Sequence, residues 1–237
     1  MLKNFVKENE FLYRLWFVLI RTRQVKGKRR LPKATDDLFF TGFPRSGNTY
    51  LASLIVHCFP NLEFTHHLHT VGSIKIALSN NLKTLVVIRN PRDSVGSYLA
   101  FHSDDLDTIP TERQVRHFVK RYCRYFQFLN EKKDVLQFIS FENMIVDKKN
   151  TIGRIAEILG LPDFKLSDDL LKEYDHKIRK VEARKNTNAG SLPNEQKEAY
   201  KAKVSKLIVA DAYYPQCLDL FNSLEANTIN NRKHQPR

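Results

Sequence analysis

The hydrophobic pattern changes period sharply within residues 38–55. Leu38, Phe39 and Phe40 form a short aromatic run closed by Thr41-Gly42, the signature of a buried strand. Tyr50, Leu51, Leu54 and Ile55 then return at the spacing of one helical face, which predicts a helix from Ser46 to about Cys58, ending before Pro60. Residues 62–66 (LEFTH) predict a short second strand, and residues 71–80 a helix broken at Asn80-Asn81. Leu82–Ile88 is β-branched and almost continuously apolar, as expected of a central parallel strand. A helix carrying Ser97 and Tyr98 follows it. Tyr and Phe pairs in residues 121–129 (RYCRYFQFL) recur at helical spacing, as core or as the wall of a pocket, and the Lys-rich helix at 195–206 presents a solvated face.

Between the first strand and its helix lies GFPRSGNT. It has the G-x-x-x-x-G-x-[ST] frame of a phosphate loop, with Asn48 where the usual lysine stands. A tight turn there directs the amides of residues 46–49 outward at a helix N-terminus, where the macrodipole also favours an anion. Gly47 lets such a group approach the backbone, and Arg45 adds a full charge. An ordinary strand-turn-helix is the plain alternative. The missing lysine argues against a standard ATPase or GTPase.

A nucleotide triphosphatase commonly ends the strand corresponding to Leu82–Ile88 with an Asp that holds Mg²⁺. Here it ends in Arg89, followed by Asn90-Pro91-Arg92-Asp93. A cation at the carboxyl end of a central strand calls for a second anion, unless Arg89 only pairs with Asp93. Two anion sites at the ends of two parallel strands describe a nucleotide with two separate phosphate groups.

Composition narrows the partners. The 237 residues suit one domain with small additions, and 42% hydrophobic and 11% aromatic content are enough for a substantial core. A net charge of +13 favours anionic nucleotides, polyanions or a membrane surface. No zinc-finger, RNP-type or homeodomain pattern occurs, so nucleic acid is not the expected partner. Cys58, Cys123 and Cys217 are widely spaced and odd in number, which points to reduced thiols rather than a disulfide or zinc framework. Residues 11–20 (FLYRLWFVLI) contain Arg14 and are too short for a membrane span. With RTRQVKGKRR at 21–30 they read as an amphipathic helix and a basic linker, packed on the domain or resting on an anionic membrane through residues 1–30. With no secretory signal, the expected location is cytoplasmic, peripheral to the inner face of a membrane if the helix docks there. The expected organisation is 1–34 helix and linker, 35–225 α/β domain, and 226–237 a basic, disordered tail.

His66, His67 and His69 form a dense cluster. Adjacent residues of a strand point to opposite faces, and no Cys, Asp or Glu stands at metal-ligand spacing nearby, so no metal site is expected. One active-site His at the end of a strand, or a histidine satisfied in the core or rim, accounts for the pattern better.

GFPRSGNTYL and RNPRDSVGSY resemble the two nucleotide-binding motifs of the PAPS-dependent sulfotransferases, whose co-substrate is 3′-phosphoadenosine 5′-phosphosulfate (PAPS). Pro44–Leu51 fits the first motif, roughly P-[KR]-S-G-[TN]-[TS]-[WYF]-L, and Arg89 and Ser97 keep the spacing of the second. Residues 135–146 (VLQFISFENMIV) and 151–162 (TIGRIAEILGLP) resemble the family's later strand, its [YF]-E-[DN] turn and the following helix. Residues 183–200 resemble its nucleotide-closing loop more loosely. The likeness covers about residues 37–210 and implies a three-layer P-loop-type α/β fold, with a central parallel sheet flanked by helices.

The resemblance also implies roles. Arg45 neutralises the bridging oxygen of the leaving 5′-phosphate, and the amides of Ser46, Gly47, Asn48 and Thr49, with Tyr50 beside them, cradle the phosphosulfate. Arg89 and Ser97 hold the 3′-phosphate, and Arg184 or Lys185 closes over it. The base is His67 by its distance to Arg89 or His66 by its Thr65-His66 context, with Glu63 as the fallback. The family's lysine beside that His is replaced here by Phe64 or Thr65, which shifts its load to Arg45. The reaction would need no metal, would use a hydroxyl (or amine) acceptor on a carbohydrate, lipid or small molecule, and would release 3′-phosphoadenosine 5′-phosphate (PAP). A P-loop kinase or phosphotransferase and a non-catalytic polyanion- or membrane-binding module are the alternatives.

Overall fold

The computed structural model describes residues 6–21, 30–161, 163–182 and 195–229. The basic linker at 22–29, residues 183–194 with Arg184 and Lys185, and the last eight residues lie outside them. In chain order the elements are α1 (Glu10–Trp16, continued as a π-turn through Phe17–Arg21), β1 (Leu38–Gly42), α2 (Asn48–Cys58), β2 (Phe64–Thr65) and α3 (Val71–Ser79). There follow β3 (Thr84–Ile88), α4 (Pro91–His102), α5 (Glu112–Glu131), β4 (Gln137–Ser140), α6 (Phe141–Val146), α7 (Lys148–Leu159), α8 (Asp168–Glu182), α9 (Glu195–Val209) and α10 (Tyr214–Glu225).

The strands form one parallel sheet in the order β2-β1-β3-β4. Alternation along them separates two apolar cores. Phe39, Val86, Ile88 and Phe138 face one side, packed against α1, α3, α4, α5, α9 and α10. Leu38, Phe40, Leu85, Val87 and Ile139 face the other, against α2, α6, α7 and α8. This is a three-layer α/β architecture with helices on both faces. A parallel sheet covered on both sides reads as continuous apolar strands, and burial of each large side chain stabilises it by about 1.5–3 kcal/mol.

The chain leaves β1 towards β2 and leaves β3 towards β4. The loops after β1 and β3 therefore part in opposite directions and open a crevice between neighbouring strands, the usual ligand position in such sheets. Glycine is needed at residue 42, where an added Cβ would stand 2.4 Å from the Val87 carbonyl oxygen of the adjoining strand.

Several boundaries differ from the expectations. Helix α2 begins at Asn48 rather than Ser46, because the Ser46 amide donates to the Phe43 carbonyl at 3.1 Å and closes a turn there. Strand β2 is two residues long and leaves His66 outside the ladder. The stretch from 226, expected to be a disordered tail, is packed at its start: Thr228 is fully buried and bridges Phe138, and the Ile229 amide donates to the Phe138 carbonyl at 2.8 Å. Among the described residues no helix is long and apolar enough to cross a membrane.

Candidate active site

The loop from β1 to α2 owes its shape to two backbone conformations. Arg45 has φ +69° and Gly47 φ +89°, both left-handed, so the chain turns back on itself and delivers the start of α2 towards the crevice. Glycine adopts this conformation without strain, whereas at Arg45 it costs about 1–3 kcal/mol and persists because neighbours hold it. A Cβ at Gly47 would also lie 2.3 Å from the Phe141 ring. The Gly47, Asn48 and Thr49 amides open the helix, where N–H groups have no intrahelical acceptors.

The expected loop residues divide by where their side chains go. Ser46 is fully buried, its Oγ 3.1 Å from Ser94 Oγ, and its amide is engaged in the turn rather than aimed outward. Asn48 points into the protein, its Nδ2 donating to the Phe43 carbonyl at 3.2 Å and its Oδ1 buried without a hydrogen-bond partner. Thr49 is exposed and its Oγ1 lies 3.0 Å from His67 Nε2. The Tyr50 ring packs edge-on against Tyr174 of α8, 5.7 Å between centroids, and its carbonyl accepts from Tyr174 Oη at 3.2 Å.

The second motif closes on the first. Arg45 Nε donates to Ser97 Oγ at 3.2 Å, and its guanidinium sits 5.0 Å from the centroid of Phe101. Arg89 Nη1 donates to the Arg45 carbonyl at 2.9 Å, and its guanidinium lies 4.2 Å from the centroid of Phe141. Arg89 therefore sits beneath the loop rather than beyond it. The Tyr122 hydroxyl donates to the Arg89 carbonyl at 2.7 Å and fixes the strand end. Burial pulls the Arg89 pKa below the ordinary guanidinium value, partly offset by the fields of Asp93, Glu142 and Glu198, none of which forms an ion pair with it. Arg89 Nε is buried and has no hydrogen-bond partner.

His67 has φ +64°, which swings the chain after β2 towards α2. His66 and His67 are joined Nδ1 to Nδ1, and the His66 ring stacks on Phe40 with 7° between planes. His69 donates from Nδ1 to the Gly42 carbonyl at 2.8 Å. The three imidazoles are thus separated by function, with His66 against the core, His67 against Thr49 and His69 against the end of β1. Glu63 is solvent-exposed and its amide donates to Asp37, so its carboxylate is not gathered into the site. Arg30 and Asp36 form an ion pair that also holds Thr65, tying β2 to the residues before β1.

Sequence reasoning did not single out Ser94, Phe101 or the Phe141 ring under Arg89. Ser94 and Phe101 stand one residue and one turn from quoted motif positions, and Phe141 belongs to the quoted FEN turn. Only the tertiary fold shows them meeting the loop.

A family model described as a sulfotransferase domain matches residues 60–213. It begins after the first loop, so that loop stands on this chain's own residues and geometry. Mouse sulfotransferase 6B1 is 24% identical over a region covering 58% of this chain and 58% of that protein. Human sulfotransferase 6B1 is 38% identical over 40% of this chain and 35% of its own length. Flavonol 3-sulfotransferase of Flaveria bidentis is 21% identical, covering 67% of this chain and 69% of that protein. The chain spans under two thirds of the length of the two 6B1 relatives. Among solved structures, mouse sulfotransferase SULT7A1 complexed with PAP aligns with a TM-score of 0.48 and 16% identity, covering 85% of this chain and 87% of that one.

Proposed function

Because the chain belongs to the sulfotransferase family, we propose that it moves a sulfuryl group from PAPS to an acceptor hydroxyl or amine by in-line transfer. The observation that carries this reading is the pair of left-handed residues, Arg45 and Gly47, that opens α2 against Arg89 and Ser97 from the β3 end. The donor set fits a nucleotide with two anionic groups. Helix-start amides, two guanidinium groups and an unpartnered Arg89 Nε converge there, and no carboxylate among the described residues ion-pairs with Arg89.

In this reading the amides of Gly47, Asn48 and Thr49 hold the 5′-phosphosulfate. Arg45 offsets charge growing on the bridging phosphate oxygen as the S–O bond breaks. Arg89 and Ser97 take the 3′-phosphate, Arg89 by turning its guanidinium from the Arg45 carbonyl. Arg184 and Lys185, outside the described residues, are proposed to close over it. His67 is the base. With its Nδ1 proton directed to His66, Nε2 carries the lone pair, and the acceptor hydroxyl takes the place of Thr49 Oγ1 before giving up its proton. The acceptor oxygen then bonds to sulfur, and PAP leaves.

The exposed face of α1 supports a further contact. Tyr13 and Phe17 are buried against the domain, whereas Phe11, Leu15, Val18 and Leu19 are 72, 47, 56 and 65% exposed on the opposite side. That apolar stripe precedes the basic run at 21–30, a pairing suited to an anionic membrane surface on the cytoplasmic side.

The test is calorimetric titration of the protein with PAP and with ATP, each in EDTA and in Mg²⁺. Metal-independent binding of PAP is expected. Binding of ATP alone, and only with Mg²⁺, would replace this reading with a phosphotransferase. Binding of neither would leave a basic scaffold.

A further inference from the structure

Next to the histidine cluster lies a cavity of about 180 Å³ whose lining is strongly cationic. Its floor is Phe43, the residue before Pro44 and Arg45, together with Tyr125 of α5. One wall is a stripe of α5, His117, Lys120, Arg121 and Arg124, at the i, i+3, i+4, i+7 spacing of a single helical face. His69 stands on the opposite side, its ring 5.7 Å from that of His67.

We infer that this cavity binds an anionic substituent of the acceptor, a carboxylate, sulfate or phosphate carried on a compact molecule. The inference rests on the sulfotransferase reading and adds the acceptor's chemical class to it. Two observations carry it. First, the only carboxylate in the lining is Glu8, against Lys7, Lys120, Arg121 and Arg124. Second, no carboxylate among the described residues ion-pairs with Lys120, Arg121 or Arg124. Arg121 instead donates to Tyr98 Oη at 3.0 Å, and Lys120 lies 4.5 Å from the centroid of Tyr213. Their charge is therefore left for a ligand, and guanidinium groups suit planar or tetrahedral oxyanions.

The volume is below the range of about 300–1,000 Å³ usual for drug-sized ligands, which favours one ring or one charged group over a large apolar acceptor. An anion held by the α5 stripe places the rest of its molecule alongside His69, one imidazole away from His67. The stripe acts on specificity. It takes no part in the transfer itself.

The experiment saturates the full chain with PAP, so that both nucleotide loops are filled, and titrates it calorimetrically in EDTA. The probes are inorganic sulfate, then two matched pairs: glucuronate against glucose, and 4-hydroxybenzoate against 4-methylphenol. The anionic member of a pair is expected to bind at least about tenfold tighter than the neutral one, with a preference that shrinks as salt rises. In Lys120→Ala/Arg124→Ala, a change on the rim of one helix, the preference should collapse while PAP affinity and melting temperature stay unchanged. Equal binding of acid and neutral members, no binding of any probe to PAP-saturated protein, or a preference that survives the double substitution overturns the inference. Failure of PAP itself to bind defeats the sulfotransferase reading instead. The cavity is then judged by whether sulfate affinity differs between the native and doubly substituted chains.

Discussion

Thr49 Oγ1 and His67 Nε2 lie 3.0 Å apart, so the first turn of α2 and the residues after β2 meet at one hydrogen bond. Two features far apart in character, an anion loop and a histidine cluster, thereby become one site. His67→Ala is expected to lower sulfuryl transfer from labelled PAPS by about 10²–10⁴-fold while leaving PAP affinity nearly unchanged. His66→Ala, which removes the ring stacked on Phe40 and its bond to His67, should cost less. A fully active His67→Ala enzyme would return the base to His66 or Glu63.

Arg89 holds the Arg45 carbonyl and keeps one buried donor unused. Arg89→Ala should weaken PAP binding by about ten- to a hundredfold, the range expected when a charge-assisted hydrogen bond is lost, about 1.5–3 kcal/mol. Calorimetry in EDTA measures it. An unchanged affinity would confine Arg89 to supporting the loop.

Gly47 and Gly153 make opposite predictions for the same substitution. Gly47→Ala sets a Cβ against the Phe141 ring at a left-handed φ and should cost about 1–3 kcal/mol with loss of PAP binding. Gly153→Ala, inside α7 with nothing within 4 Å of the new methyl, should raise stability by about 0.4–1 kcal/mol. Urea denaturation of both variants checks the pair.

Asp36 predicts the acid limb of the stability curve. Burial alone would raise its pKa, but the Arg30 guanidinium, the Lys33 amide and the Thr65 hydroxyl together hold it below the ordinary carboxylate value. A carboxylate with a lowered folded pKa contributes its full stability above the unfolded value of about 3.9, and loses it as pH falls through the folded value. Stability should therefore fall on acidification below about pH 4, and this part of the fall should be missing in Asp36→Asn. At pH 7 that variant should be weaker by about 1.5–3 kcal/mol, the range for losing hydrogen bonds to a charged group. Urea midpoints between pH 3 and pH 7 give the comparison.

The exposed stripe of α1 predicts flotation with vesicles containing phosphatidylserine and not with neutral phosphatidylcholine vesicles. Phe11→Glu, on the outer face, should abolish flotation without altering the melting temperature, because its side chain is not part of the core. Equal flotation on both vesicle types would remove electrostatics from the explanation.

The loop was legible in the chain because its chemistry is local: Gly47, Arg45 and the change of period at Asn48 are contiguous. The parallel sheet was legible from the apolar continuity of Leu85–Ile88. The direction of Arg89 was not, since a strand end fixes where an arginine starts but not whether it reaches out to ligand or back to the Arg45 carbonyl. Tyr50 was hard to place for a related reason. It follows Thr49 in the motif, yet one residue along a helix is a turn of about 100°, which carries it to Tyr174. Residues 121–129 supply both core and pocket wall, Tyr122 and Phe126 in the former and Tyr125 in the latter. The cationic stripe beside them acquires meaning only once α5 lies against Phe43.

Asn48 carries a consequence for how this loop could change over evolutionary time. Its side chain faces the interior beside Gly42, at the position from which the lysine of an ordinary phosphate loop reaches forward to its nucleotide. Asn48→Lys would push an ammonium into that packed space instead of toward the crevice. A lysine at this position does not by itself give the loop a forward-reaching ammonium. The cation of this loop stands instead at Arg45, in the turn before the helix, so a loop of this shape carries its charge from the turn and leaves the helix start to its amides.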